Sequence, residues 1–121
     1  MPAYVENLVR GAEIQSNLDL GAPERRVGDR SVFEAPFYKN GVQFSFEGGV
    51  CHRVRLPEVW HCVVTHKWPK GDLTVQFLQD FSGADKKPWY FAITGGTGDY
   101  EGANGQVTYV SEQDITFSFS T

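Results

Sequence analysis

Apolar and polar residues take turns along most of this chain. Leu73, Val75 and Phe77 alternate with Thr74 and Gln76, and Val42, Phe44 and Phe46 with Gln43 and Ser45. Val107 and Tyr109 alternate with Gln106 and Thr108, and Ile115, Phe117 and Phe119 with Thr116, Ser118 and Ser120. A period of two marks a strand with one dry face and one wet face. Turn-forming stretches punctuate these runs: Lys39-Asn40-Gly41, Leu56-Pro57-Glu58, Pro69-Lys70-Gly71-Asp72, Ser82-Gly83 and residues 95–105. The pattern predicts eight strands, over 11–17, 30–38, 42–54, 58–68, 72–79, 88–94, 104–110 and 113–120. Helical periodicity is lacking, although 6–12 or 23–26 has room for a short turn.

Eight antiparallel strands with short connections suit a closed barrel around a central cavity, which can hold one small ligand. Closure also removes the edges that such aromatic strands could not safely expose. Gly48-Gly49 interrupts a long strand. A bulge there would switch the parity and turn Cys51 inward; a glycine pair making room for a neighbouring strand is the other reading.

Composition supports the all-β class and a single domain over residues 1–121. Nine Phe, five Tyr and three Trp stand against one Met, and thirteen Gly supply turns. A formal charge of −4, with 11 basic and 15 acidic residues scattered, argues against nucleic acid, which demands a basic stripe. There is no apolar run long enough for a helical membrane span and no secretory-signal layout at the start, so a cytoplasmic location is expected. Two cysteines without a CxxC pair argue against a zinc-thiolate cluster, and free thiols are the simplest expectation.

The stretch Phe91-Ala92-Ile93-Thr94-Gly95-Gly96-Thr97-Gly98-Asp99-Tyr100-Glu101-Gly102 has the look of a dinucleotide fingerprint. Its spacing is GxGxxxG, and the 23 residues after Gly98 alternate as strands, leaving no phosphate-binding helix. A tight β-connection is the better reading.

Continued to Val107, the same stretch resembles the signature of the allene oxide cyclase barrels, and more loosely that of dirigent proteins. Gly28-Asp29 with Val32-Phe33 and Phe37-Tyr38, then Gly49-Val50-Cys51 and Gly71-Asp72-Leu73-Thr74-Val75-Gln76, are similar in order and spacing. The resemblance spans about residues 13–119 and implies an eight-stranded barrel. It also implies an enzyme that closes a ring in a reactive hydrophobic intermediate, without cofactor or metal, by restricting its conformation in a water-excluded pocket. A non-catalytic dirigent-like binding barrel is the alternative. The family's dimers and trimers imply a homo-oligomer.

Carried over by position, the resemblance places Phe33, Ser31, Val59 and Cys51 in the pocket, Gln79 near a pocket tyrosine, and Glu13 at the family's N-terminal glutamate. The family's catalytic asparagine falls on Ala35, so another substrate than the plant one is expected. The strand pattern adds Phe44 to the ligand wall. Centring the hairpin between Leu56 and Pro57 sets Cys51 opposite Cys62 and His52 opposite His61, which makes a cross-strand disulfide conceivable. Register decides whether His61 or Cys62 faces inward. An inward His61 would be the best general acid–base in the pocket. Cys51 is a candidate catalytic group, with a small inert core residue as the bland reading. Candidate catalytic residues are therefore Glu13, His61 and Cys51.

Overall fold

Nine strands carry most of the described residues, 2–18 and 25–121, of the computed structural model. They are β1 (Ala3–Arg10), β2 (Ile14–Leu18), β3 (Arg30–Lys39), β4 (Val42–Arg55), β5 (Val59–Trp68), β6 (Gly71–Asp80), β7 (Trp89–Gly96), β8 (Asn104–Tyr109) and β9 (Asp114–Ser120). All pairings are antiparallel, in the order β1-β9-β8-β7-β6-β5-β4-β3-β2. The ring closes because β1 also pairs with β3, at Val9 to Tyr38 and Arg10 to Phe37. β2 then continues along β3 from Ile14 opposite Glu34. Between those two pairings Gly11, Ala12 and Glu13 face only Ala35 and Pro36, an extra residue that bends the strand. β1 and β2 are thus one bulged stave, and the molecule is a closed eight-stranded barrel.

The strand expected over 11–17 begins much earlier, and 6–12 holds no helical turn: β1 occupies 3–10. Its alternation is inverted in polarity. Tyr4, Glu6, Leu8 and Arg10 lie on the less exposed side while Val5 and Val9 face water, so a search for apolar inner positions misses it. Of the turn considered at 23–26, residues 23 and 24 lie outside the described residues.

The bulge in β4 is not at Gly48-Gly49. Phe37 pairs with Ser45 and Tyr38 with Gln43, leaving Phe44 as the extra residue. Parity therefore switches there: Ser45, Glu47, Cys51 and Arg53 are buried, and Phe46 is turned outward. Gly48 and Gly49 are in regular register. Gly49 serves the close-packing role, since a Cβ there would come within 2.7 Å of the Phe33 ring.

The barrel interior has two halves. At one end Leu8, Phe37, Trp68, Leu73, Phe117 and Phe119 fill the lumen with almost no exposure. Trp68 is the hub, edge-on to Phe44 and Phe117 at 5.1 Å each. The glycine-rich stretch after β7 closes this end with a 3-10 turn, Gly98–Tyr100, which presses the Tyr100 ring against Trp68 and Phe119. Gly98 has φ +61° and its α-carbon side abuts the Lys70 carbonyl, so a side chain would find neither conformation nor space. The motif that imitates a nucleotide loop is the plug of a barrel.

Candidate functional site

The other half of the barrel is open. It holds a cavity of about 730 Å³ lined by side chains of every stave except β9. The inward residues of β4 mark its depth. Glu47 lies at the floor, Cys51 on the wall and Arg53 at the mouth, a climb of about 20 Å at the strand rise of roughly 3.3 Å per residue.

A polar cluster forms the floor. Glu47, 2% exposed, accepts a 2.7 Å hydrogen bond from Arg10 Nε, and Arg10 Nη2 donates to Glu13 at 2.9 Å. Burial pushes the Glu47 carboxyl above its ordinary value, and Arg10 only partly offsets that. Burial disfavours the Arg10 charge as well, yet the Glu47 carboxyl outweighs it and holds the guanidinium charged. Tyr109 lies against Arg10, and burial keeps its hydroxyl protonated well above the ordinary range. His66 lies 3.8 Å from Glu47, between the edges of Phe37 and Phe117. Burial, helped by Arg10, drives it down to about 3, so it is a neutral imidazole and no ion pair joins it to Glu47. The floor thus offers a carboxyl poised closer to neutrality than usual, a fixed cation, a phenol and a neutral imidazole. Such a group can give or take a proton inside an apolar chamber.

Above the floor the wall is aromatic. Phe33, Trp60, Phe77, Phe91 and Trp89 all face the cavity, and Phe77 stacks on Phe91 at 3.7 Å with 12° between planes. Paired positions across β3, β4, β5 and β6 bring Ser31, Cys51, Cys62 and Phe77 into one row. Ser31 accepts a hydrogen bond from Gln15 at 2.7 Å, and Cys51 and Cys62 are joined as a disulfide. At the mouth Arg53 lies over Trp60 at 4.4 Å and donates to the Pro57 carbonyl and to Glu58, with Asp29 at 3.5 Å. The Arg53 bond holds the half-buried Glu58 carboxyl below its ordinary range.

Four of the residues singled out from sequence line this cavity: Glu13, Cys51, Phe33 and Ser31. Four do not. His61 points outward from β5 and bonds Gln76 on the outer face at 3.2 Å, because register gives the inner position to Cys62. Phe44 is at the packed end against Trp68. Val59 is buried without reaching the cavity, and Gln79 is tied to Asp85 at 3.1 Å behind the mouth. Cys51 is no free thiol, which leaves it without a titrating sulfur in this state. The Cys51–Cys62 and His52–His61 pairings occur as expected.

Sequence reasoning missed Glu47, Arg10 and Tyr109. The signal for Glu47 was parity: it lies an even number of residues from the cysteine on its own strand. Among the described residues no three His, Cys, Asp or Glu side chains gather as a metal site would require. No helix there is long and apolar enough to cross a membrane, a statement that does not bear on strands.

The barrel, its plug and its half-open lumen define the allene oxide cyclase/dirigent-like β-barrel fold. The chain is similar to pyocyanin demethylase, with 26% identity over 97% of this chain and 98% of that one and a TM-score of 0.76. It is similar in fold to AbnU, an exo-specific intermolecular Diels-Alderase, at 11% identity, 98% of each chain and a TM-score of 0.66. It is likewise similar to the pterocarpan synthase dirigent protein PsPTS1, at 13% identity over 98% of this chain and 92% of that one, TM-score 0.66. Neither a family model nor a curated protein matches the sequence. The fold is shared by a demethylase, cyclases, Diels-Alderases and dirigent proteins.

Proposed function

We propose that the protein is an enzyme of the cyclase/isomerase kind that binds a flat, conjugated hydrophobic small molecule in the open half of the barrel. It holds the molecule in one geometry and moves a proton with its own side chains. The carrying observation is the buried Glu47–Arg10–Glu13 cluster at the floor of an aromatic-walled cavity. A barrel that merely carried a hydrophobic ligand would gain nothing from a carboxylate buried at 2% exposure, which costs free energy to desolvate. Phe33, Trp60, Phe77 and Phe91 would grip the ring faces, Glu47 would exchange the proton, and Arg10 with Tyr109 would hold developing negative charge on a substrate oxygen. Conformational restriction supplies the rest of the barrier lowering.

The alternative is a dirigent-like barrel that orients a ligand without proton transfer. It draws on the fold shared with a pterocarpan synthase dirigent protein. The likeness to pyocyanin demethylase makes a flat nitrogen heterocycle the first ligand to try. A panel of such heterocycles, conjugated polyenes and enones, screened by quenching of tryptophan fluorescence and then by product analysis, tests the reading. Expected is saturable quenching together with an isomerised or cyclised product. Binding without any product would favour the alternative, and no binding would sink both.

A further inference from the structure

The wall of the cavity contains one group that proton chemistry leaves unused, the disulfide. Cys51 and Cys62 face each other across β4 and β5 and both line the cavity, in the middle of its depth. Their row continues into Phe77, which carries Phe91 stacked upon it. A flat ligand lying on that aromatic pair would lie beside the sulfurs. Gly49, one inward position below Cys51, bears no side chain, and its place is filled by the edge of the Phe33 ring.

The fold has little need of this bond. The hairpin it spans is already held on both sides, by Gly49 to Val64 and Val50 to Val63 below and by His52 to His61 and Arg53 to Trp60 above. Their α-carbons, 4.1 Å apart, are held by the ladder on either side, so the two sulfurs stay neighbours when the bond is open. A disulfide placed in a ligand cavity, dispensable to its hairpin and reversible in place, is built to react.

We propose that Cys51 and Cys62 form a dithiol–disulfide couple that exchanges two electrons and two protons with a flat quinonoid ligand in the cavity. In the reducing direction the two S–H bonds break and the Sγ–Sγ bond forms. The two electrons and two protons pass to the two carbonyl oxygens of the ligand, which leaves as a hydroquinone. A small thiol reductant entering at the mouth restores the dithiol by exchange, through a mixed disulfide. In a reducing compartment the pair waits as the dithiol; in an oxidising one it rests as the disulfide seen here. This activity rests on the binding reading above and adds a redox step to it.

The test uses duroquinone, whose ring carbons are all substituted and so disfavour a lasting thioether. The protein is reduced, freed of reductant under anaerobic conditions and mixed with the probe. Tryptophan quenching reports binding and ultraviolet absorbance reports reduction. Expected is one quinone reduced per chain with one disulfide formed, at least about tenfold faster than by an equal concentration of free dithiol, because the sulfurs are preset beside the ligand. The Cys51→Ser and Cys62→Ser variants and the double variant should bind the probe and not reduce it. Quenching without reduction by the reduced wild type overturns the couple and leaves the binding reading standing. Absence of quenching overturns the couple, and the ligand panel above decides the binding reading by itself. If the serine variants fail to fold, wild-type protein with both thiols alkylated by iodoacetamide takes their place, and reduction that persists after alkylation also overturns the proposal.

Discussion

Glu47 and His66 are neighbours across β4 and β5, yet burial moves them in opposite senses. For His66 the folded value of about 3 lies below the ordinary 6.5, so the unfolded chain binds more protons between those limits. Its contribution to stability is therefore present above pH 6.5 and is lost as the pH falls toward 3. Glu47 works the other way: with its folded value raised, the folded chain binds more protons just above 4.5, and stability declines there as pH rises. A His66→Phe variant should lose a slope of up to about 1.4 kcal/mol per pH unit in the acid limb, read from urea unfolding at a series of pH values. An unchanged slope would mean that His66 is protonated in the folded protein. At this scale the sequence was legible only in part. The pairing of Cys51 with Cys62 followed from the hairpin, whereas the choice of His61 as acid–base depended on a register that alternation alone leaves free to slip by one. That one-residue ambiguity exchanges His61 for Cys62 and hides His66.

Among the elements, β4 decides which chemistry faces the lumen. Its bulge at Phe44 converts an apparent apolar face of Val42, Phe44 and Phe46 into an inner row of Ser45, Glu47, Cys51 and Arg53. The glycine pair looked like the bulge because glycine often marks one; here a ring covers Gly49, and Gly48 meets open space. This difference is measurable. Gly49→Ala should cost about 1–3 kcal/mol, since the new methyl must displace Phe33 or the Val63 carbonyl, 2.9 Å away. Gly48→Ala should change stability by less than about 0.5 kcal/mol, as exposed substitutions usually do. Equal effects in chemical denaturation would contradict the placement of Phe33 over Gly49. β1 escaped notice for a related reason: it carries Glu6 and Arg10 on its inner side, polar residues that a hydrophobic pattern cannot assign.

Across the whole molecule, stability and function are divided between the two ends of one barrel. The plugged end was the most legible part, because its strands keep strict alternation and its glycine motif resembles a known signature. The open end was less so, since a cavity needs inward residues that break the apolar rule. Phe117→Ala, at a fully buried position in the packed half, should cost about 3–5 kcal/mol and leave a folded remainder with ligand affinity near normal. Phe33→Ala, on the cavity wall, should cost less stability and weaken ligand binding at least about tenfold. Denaturant midpoints and fluorescence titration on the two variants would separate the ends, and a reversed pattern would refute the division.

In the proposed function the buried carboxyl at the floor handles a proton of the bound ligand. Turnover of the best substrate from the ligand panel, compared between wild type and Glu47→Gln with His61→Ala as the outer-face control, tests it most directly. Expected is a fall in kcat of about 100-fold or more for Glu47→Gln, ligand affinity kept within a few-fold, and no change for His61→Ala. Full activity in Glu47→Gln, or its loss in His61→Ala, would rule out Glu47 as the proton-handling group.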